Sequence, residues 1–110
     1  MVIQSVDEEP TVNIVNWSVH RVTFFNGDKS EHLLGFVPGQ QGRVTSAIQV
    51  FNANTRKITT LSGRVYTLIG PPGKCEDARY VWNFWKKMNG DVKDRNVTDK
   101  YATQIKNLLM

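Results

Sequence analysis

Lys57-Ile58-Thr59-Thr60-Leu61-Ser62-Gly63-Arg64-Val65-Tyr66-Thr67-Leu68-Ile69 has the pattern of a β-hairpin. β-Branched and aromatic residues run on both sides of Ser62-Gly63, and a glycine tolerates the positive φ that a tight reversal requires. A two-residue loop at Ser62-Gly63 pairs Leu61 with Arg64, Thr59 with Tyr66 and Lys57 with Leu68. Successive side chains in a strand point to opposite faces. Ile58, Val65 and Ile69 then share one side of the hairpin, and Lys57, Leu61, Arg64, Tyr66 and Leu68 share the other.

The same kind of pattern extends back to Thr11. Residues 11–17 and 19–25 read as strands, and Asn26-Gly27 is the strongest short hairpin signal in the chain. Its two-residue register sets Arg21 opposite His32 and His20 opposite Leu33, which points the two histidines to opposite faces. Residues 33–37 return, Pro38-Gly39-Gln40-Gln41-Gly42 breaks the chain, and residues 44–51 form the next strand. A three-residue loop at 53–55, with Asn54 left-handed, places Val50 beside Ile58 and makes Val44, Ile48 and Val50 the core face. Arg43 and Phe51 then join Lys57, Arg64 and Tyr66 on a second face that is basic and aromatic together.

After Pro71-Pro72-Gly73 the period changes. Ala78, Val81, Trp82, Trp85 and Met88 fall on one helical stripe with Phe84 at its margin, while Arg79, Asn83, Lys86 and Lys87 lie opposite. Gly90 is placed to end this helix. Asn96 or Thr98 is suited to cap a second helix that buries Tyr101, Ile105, Leu108 and Leu109. The expected fold class is α+β: an antiparallel β-meander of about five to six strands followed by two C-terminal helices packed on the sheet. Residues 1–10, ending at Pro10, read as a flexible acidic leader, and residues 11–110 as a single domain.

Composition narrows the class. A chain of 110 residues, 40% hydrophobic and 22% charged, is an ordinary globular domain, which excludes a disordered chain, a collagen-like repeat and a coiled coil. The lone cysteine, Cys75, cannot form an internal disulfide. The N-terminus lacks the basic start and apolar run of a signal peptide, and no apolar stretch reaches membrane-spanning length. The expectation is a cytoplasmic protein without a membrane partner. Charge is unevenly placed within a net +4. Asp7, Glu8 and Glu9 stand in the leader, and no carboxylate occurs between Glu31 and Glu76, where Arg43, Arg56, Lys57, Arg64 and Lys74 all lie. A segment with bases and no acids suits a polyanion, either nucleic acid or an acidic protein.

Catalytic chemistry has no foothold in the sequence. Gly70-Pro71-Pro72-Gly73-Lys74 is too short between its glycines for a phosphate-binding loop, and its prolines lack the N–H groups that cradle phosphates. Lys74 beside a helix start is a weaker anion site. Cys75 has Glu76 and Asp77 beside it, which disfavours a thiolate. No Ser-His-Asp arrangement or paired carboxylates stand out, so neither an enzyme nor a cofactor or metal is expected. Trp82, Phe84 and Trp85 fit core packing, while Phe51 and Tyr66 fit contact.

The phrase from Ile58-Thr59-Thr60-Leu61-Ser62-Gly63-Arg64-Val65-Tyr66 to Gly70-Pro71-Pro72-Gly73, with Asp77-Ala78-Arg79-Tyr80-Val81-Trp82-Asn83-Phe84-Trp85 and Asp94-Arg95-Asn96-Val97-Thr98 after it, resembles short bacterial proteins of prophage or mobile-element type that have no assigned function. The resemblance spans residues 31–100. It implies a bacterial cytoplasmic setting and a phage or accessory role, and brings no activity or site. The function expected from the residues is a non-enzymatic binding module whose basic and aromatic face, made of Arg43, Phe51, Lys57, Arg64 and Tyr66 with Lys74 nearby, engages nucleic acid or another polyanion. The alternative is a small phage or accessory protein that binds and inhibits a host protein complex.

Overall fold

The computed structural model describes residues 5–90 and 92–108. Its elements are β1 (Thr11–Thr23), β2 (Lys29–Phe36), β3 (Gly42–Asn52), β4 (Lys57–Thr60), β5 (Val65–Leu68), α1 (Glu76–Met88), β6 (Lys93–Asn96) and α2 (Thr98–Asn107). The fold class is α+β. Strands β1 to β5 are successive antiparallel neighbours, and β5 then returns to pair with β1 in parallel, Thr11 with Val65 and Ile14 with Leu68. Since β1 also pairs with β2, the five strands close into a small barrel. Strand β6 separates the two helices in sequence and adds to the C-terminal half of β1.

β1 can serve two sets of neighbours because it bends. Asn16 has φ 50, a left-handed conformation that asparagine tolerates, and the register with β2 shifts between Val15 and Ser18. The bend turns Trp17 into the core, where its Nε1 donates to the Gly70 carbonyl at 3.1 Å. Gly73 donates its N–H to the Trp17 carbonyl at 2.9 Å, so the Pro71-Pro72 connector is laid across the bend.

Three connections each hold one more residue than the sequence pattern implies. At the first hairpin Phe24 and Asp28 close a three-residue loop, with Gly27 at φ +92. At the last, Thr60 and Arg64 do the same around Gly63 at φ +93. This is a turn followed by a glycine bulge, which carries its left-handed residue third rather than second. Between β3 and β4 the loop spans residues 53–56, and Arg56 (φ 59), not Asn54, takes the left-handed position.

Each extra residue moves the pairing by one position, and a one-residue slip exchanges faces. Arg21 is opposite Glu31, and His20 opposite His32, so the histidines share a face rather than being divided. Ile58 is opposite Tyr66 and Phe51, not Thr67 and Val50. An irregularity between Ile48 and Val50 then restores the expected pairing, Ile48 opposite Thr60.

Val12, Ile14, Trp17, Val19, Leu33, Ile58 and Leu68 form the barrel interior, closed at one end by Tyr101 and Ile105 of α2. Thr98 joins α2 to the barrel, its Oγ1 accepting from the Val19 N–H at 2.9 Å. Outside the barrel, Val22 and Leu34 pack against Ala78 and Trp82 of α1. Fully burying one such apolar side chain stabilises by about 1.5–3 kcal/mol. Ala78 and Trp82 carry the buried stripe, whereas Val81, Phe84 and Met88 are exposed. Leu108 is also exposed, and Leu109 lies outside the described residues.

Candidate nucleic-acid interface

The curvature of the sheet decides where the expected site residues go. Arg43, Phe51, Arg64 and Tyr66 do share a side, but it is the inside of the barrel. Arg43, Arg64 and Tyr66 are 2%, 7% and 3% exposed, and Phe51 is half-buried against Tyr101, ring centroids 4.9 Å apart. Lys57 is separated from them and exposed, because the bulged hairpin puts its neighbour Ile58 on the inner face with Tyr66. Lys74 is exposed in the connector before α1, where Glu76 and Asp77 already occupy the positive end of the helix. The face inferred from the sequence is therefore not a surface: closure of the barrel buries three of its members.

The buried arginines are met from within the chain. Arg43 lies 6.0 Å over the Tyr66 ring and 3.7 Å from the Glu9 carboxylate, and it donates to Gln40. Gln40 in turn donates to Glu9 at 2.7 Å, and Arg64 Nε donates to the Glu9 carbonyl at 3.0 Å. Val65 donates its N–H to the Pro10 carbonyl at 2.8 Å. Glu9, read from sequence as part of a flexible leader, is thus fastened over the barrel end.

Bases gather instead on the sheet formed by β2, the C-terminal half of β1, and β6. Lys29 and Lys93 lie on either side of Thr23, and Glu31 and Arg95 on either side of Arg21. Residues directly opposed or two apart share a face, so Arg21, Lys29, Lys93 and Arg95 stand together around the Glu31 carboxylate. Lys100 of α2 reaches that same carboxylate at 2.9 Å. Lys29, Lys93 and Arg95 make no ion pair or side-chain hydrogen bond among the described residues. Phe25, at the tip of the β1–β2 loop, is fully exposed beside them.

Glu31 is saturated. Arg21 donates to it twice, at 2.9 and 2.8 Å, Lys100 donates at 2.9 Å, and the Tyr101 hydroxyl donates as well. Burial pushes this carboxyl up, but the bonds from Tyr101, Lys100 and Arg21 outweigh it and hold the group below its usual range. Burial and the neighbouring carboxylate push the Tyr101 hydroxyl well up.

Sequence reasoning missed this face because its bases are scattered between residues 21 and 100 with acids among them. The signal that was there is the alternation Lys93-Asp94-Arg95-Asn96: in a strand it sends both bases to one side and Asp94 to the other. On that other side Asp94 accepts from His20 Nδ1 at 2.8 Å, Trp82 Nε1 at 2.9 Å and Lys86 Nζ at 2.9 Å, tying α1 to the sheet. Among the described residues no group of three His, Cys, Asp or Glu side chains is placed to hold a metal ion, and no helix is long and apolar enough to cross a membrane. No protein-family model, curated protein or solved structure compared with the chain matches it.

Proposed function

We propose that the protein is a non-enzymatic module that binds nucleic acid through the face of β2, β1 and β6. The observation that carries this reading is the convergence of Lys29, Lys93 and Arg95, without ion-pair partners among the described residues, beside Arg21 and Lys100, which share the one carboxylate of Glu31. Like charges facing each other across strands cost stability, as Arg21 and Arg95 do here, and an extended polyanion offsets that cost. With strands about 4.8 Å apart, Lys29 and Lys93 are about 10 Å apart at the backbone, and Arg95 stands about 6.5 Å further along β6. Such a row matches a chain of phosphates better than a single anion.

The experiment is fluorescence-anisotropy binding to labelled DNA and RNA across a salt series, comparing wild type with a Lys29→Glu, Lys93→Glu, Arg95→Glu variant. Affinity should fall steeply with salt, and each cation removed should flatten the log–log slope by about 0.7–0.9. Lys57→Glu and Lys74→Glu, away from this face, should leave affinity within about twofold, as exposed cations outside a phosphate track do. No binding at low salt, or equal losses from both sets of substitutions, sinks the assignment.

A second reading rests on a different observation: α1 presents Tyr80, Val81, Phe84 and Met88 to solvent as one apolar strip. In that reading the protein is a small accessory factor that binds and inhibits a host protein complex, in the bacterial cytoplasmic setting its prophage-type resemblance implies. Phe84→Glu would abolish a nuclease-insensitive stoichiometric complex while leaving nucleic-acid binding intact.

A further inference from the structure

The geometry points to a base-stacking cleft beside Phe25, and hence to single-stranded nucleic acid as the ligand of the basic face; this inference rests on the nucleic-acid reading above. A cleft of ≈ 410 Å³ opens between the β1–β2 loop and the turn at Gly90, lined by Phe24, Phe25 and Val92 with Thr23 and Lys93. That volume lies within the range of small-ligand sites, roughly 300–1,000 Å³. Its chemistry is simple: apolar and aromatic walls, and one charged residue, Lys93, among the described lining residues.

Phe24 and Phe25 divide the work. Phe24 is half-buried and packs edge-on against Trp85, ring centroids 6.2 Å apart, which fixes the start of the loop. Phe25 is the first of the three loop residues, and its ring is wholly in solvent. Turn positions of this kind favour polar residues, so an aromatic ring held out at the tip of an anchored loop is a contact surface waiting for a flat apolar partner. Lys93 belongs both to the cleft and to the row of unpaired cations. A ligand that fills the cleft must therefore carry negative charge where it leaves it.

A nucleotide meets both demands, with a planar base for the cleft and a phosphate for Lys93. In a duplex each base face is already stacked on its neighbours, so the ring offered to Phe25 has to be unpaired. Among the described lining residues few groups can hydrogen-bond to a base edge, so stacking on Phe25 here is tolerant of sequence.

The test uses the full chain and three probes about 12 nucleotides long, within the roughly 4–16-nucleotide span of small single-strand-binding folds. They are an oligothymidylate, an abasic strand of the same length and charge, and a duplex. Wild type should bind the oligothymidylate about tenfold more tightly than the abasic strand, the increment expected of a stacked base. Phe25→Ala should erase that difference while leaving the abasic affinity and the salt slope unchanged. Phe25→Trp should keep or widen it, and Phe25→Leu should lose it. Equal affinity of wild type for the thymidylate and abasic strands, or tighter binding of the duplex, overturns the cleft while leaving the basic face standing. Failure to bind any of the three overturns the nucleic-acid reading itself.

Discussion

His20 and His32 face each other across β1 and β2, and each ring centroid lies 5.6 Å from that of Trp82. The two are not equivalent. His20 reaches the Asp94 carboxylate, whereas His32 is buried, its Nδ1 2.9 Å from the Thr45 carbonyl and its Nε2 2.8 Å from the Ser30 hydroxyl.

Burial pushes the His32 pKa down, against the smaller upward pull of the Thr45 carbonyl. The folded state thus protonates below the ordinary histidine value of 6.5, and the unfolded chain takes up its proton first. The contribution of His32 is complete above 6.5 and is lost as pH falls from there toward the lowered folded value. Urea midpoints at about pH 7.5 and about pH 5.5, on either side of the ordinary histidine range, should show the wild type weakening on acidification. His32→Gln should shrink that difference, and an unchanged difference means that other groups cause it.

Glu31 acts in the opposite direction of charge but with the same dependence on acid. Its lowered folded pKa contributes stability above the unfolded value of 4.5, and this is lost as pH falls through the folded pKa. Glu31→Gln should cost about 1–3 kcal/mol at neutral pH, by leaving Arg21, Lys100 and Tyr101 without their acceptor charge. The variant should then lose less than wild type on further acidification below about pH 4, where carboxylates titrate. Chemical denaturation at both pH values decides it.

The barrel and α1 meet at a glycine. A Cβ on Gly42 would stand 2.5 Å from the Ala78 backbone nitrogen and 2.5 Å from the Asp77 Cβ. Backbone cannot step aside as a flexible side chain can, so Gly42→Ala should destabilise by about 1–3 kcal/mol through overpacking. Loss of the Trp82 and Trp85 near-ultraviolet signal ahead of the far-ultraviolet signal would show that α1 is the part displaced. A neutral result would mean that the helix sits further from β3 than 2.5 Å of clearance implies.

Glu9 and Arg43 form a pair with poor hydrogen bonding, the arginine buried and the acid half-buried: among the described residues, Arg43 Nε and Nη1 donate no bond and Glu9 Oε1 accepts none. Removing the acid alone strands a buried cation, so Glu9→Ala should cost about 2–4 kcal/mol, within the range for broken buried pairs. Arg43→Met together with Glu9→Leu should recover most of that loss, because an apolar pair of similar volume needs no compensation. If the double variant is as unstable as the single one, Arg43 does more for the fold than balance Glu9.

Strands β1 to β5, the first helix and the overall class were legible because apolar alternation and the switch to helical spacing survive in any register. Faces were not. Ser62-Gly63 marks a reversal in the sequence, yet whether the glycine stands second or third in the loop is settled by how the strands twist together, and that one residue sent Tyr66 inward and Lys57 outward. Closure of the barrel was equally hidden, since it depends on a left-handed Asn16 in the middle of a β-branched run. β6 has no apolar residue to announce it; it is a strand because β1 offers an unpaired edge from His20 to Thr23. The basic face went unseen with it.

The parallel join of Thr11–Ile14 to Val65–Leu68 also has a history in time. The hairpins from β2 to β5 form between neighbours in sequence, but this join must wait until the whole meander exists, and long-range pairings of this kind are the slow ones. β1 precedes the other barrel strands in the sequence, yet its parallel join needs β5 in place as well. Until that join forms, β5 exposes a row of unsatisfied backbone groups that another copy of the chain can pair with as readily as β1 can. Conditions that delay docking of β1, such as crowded synthesis or loss of Val12 and Ile14, therefore favour assembly between chains over assembly within one.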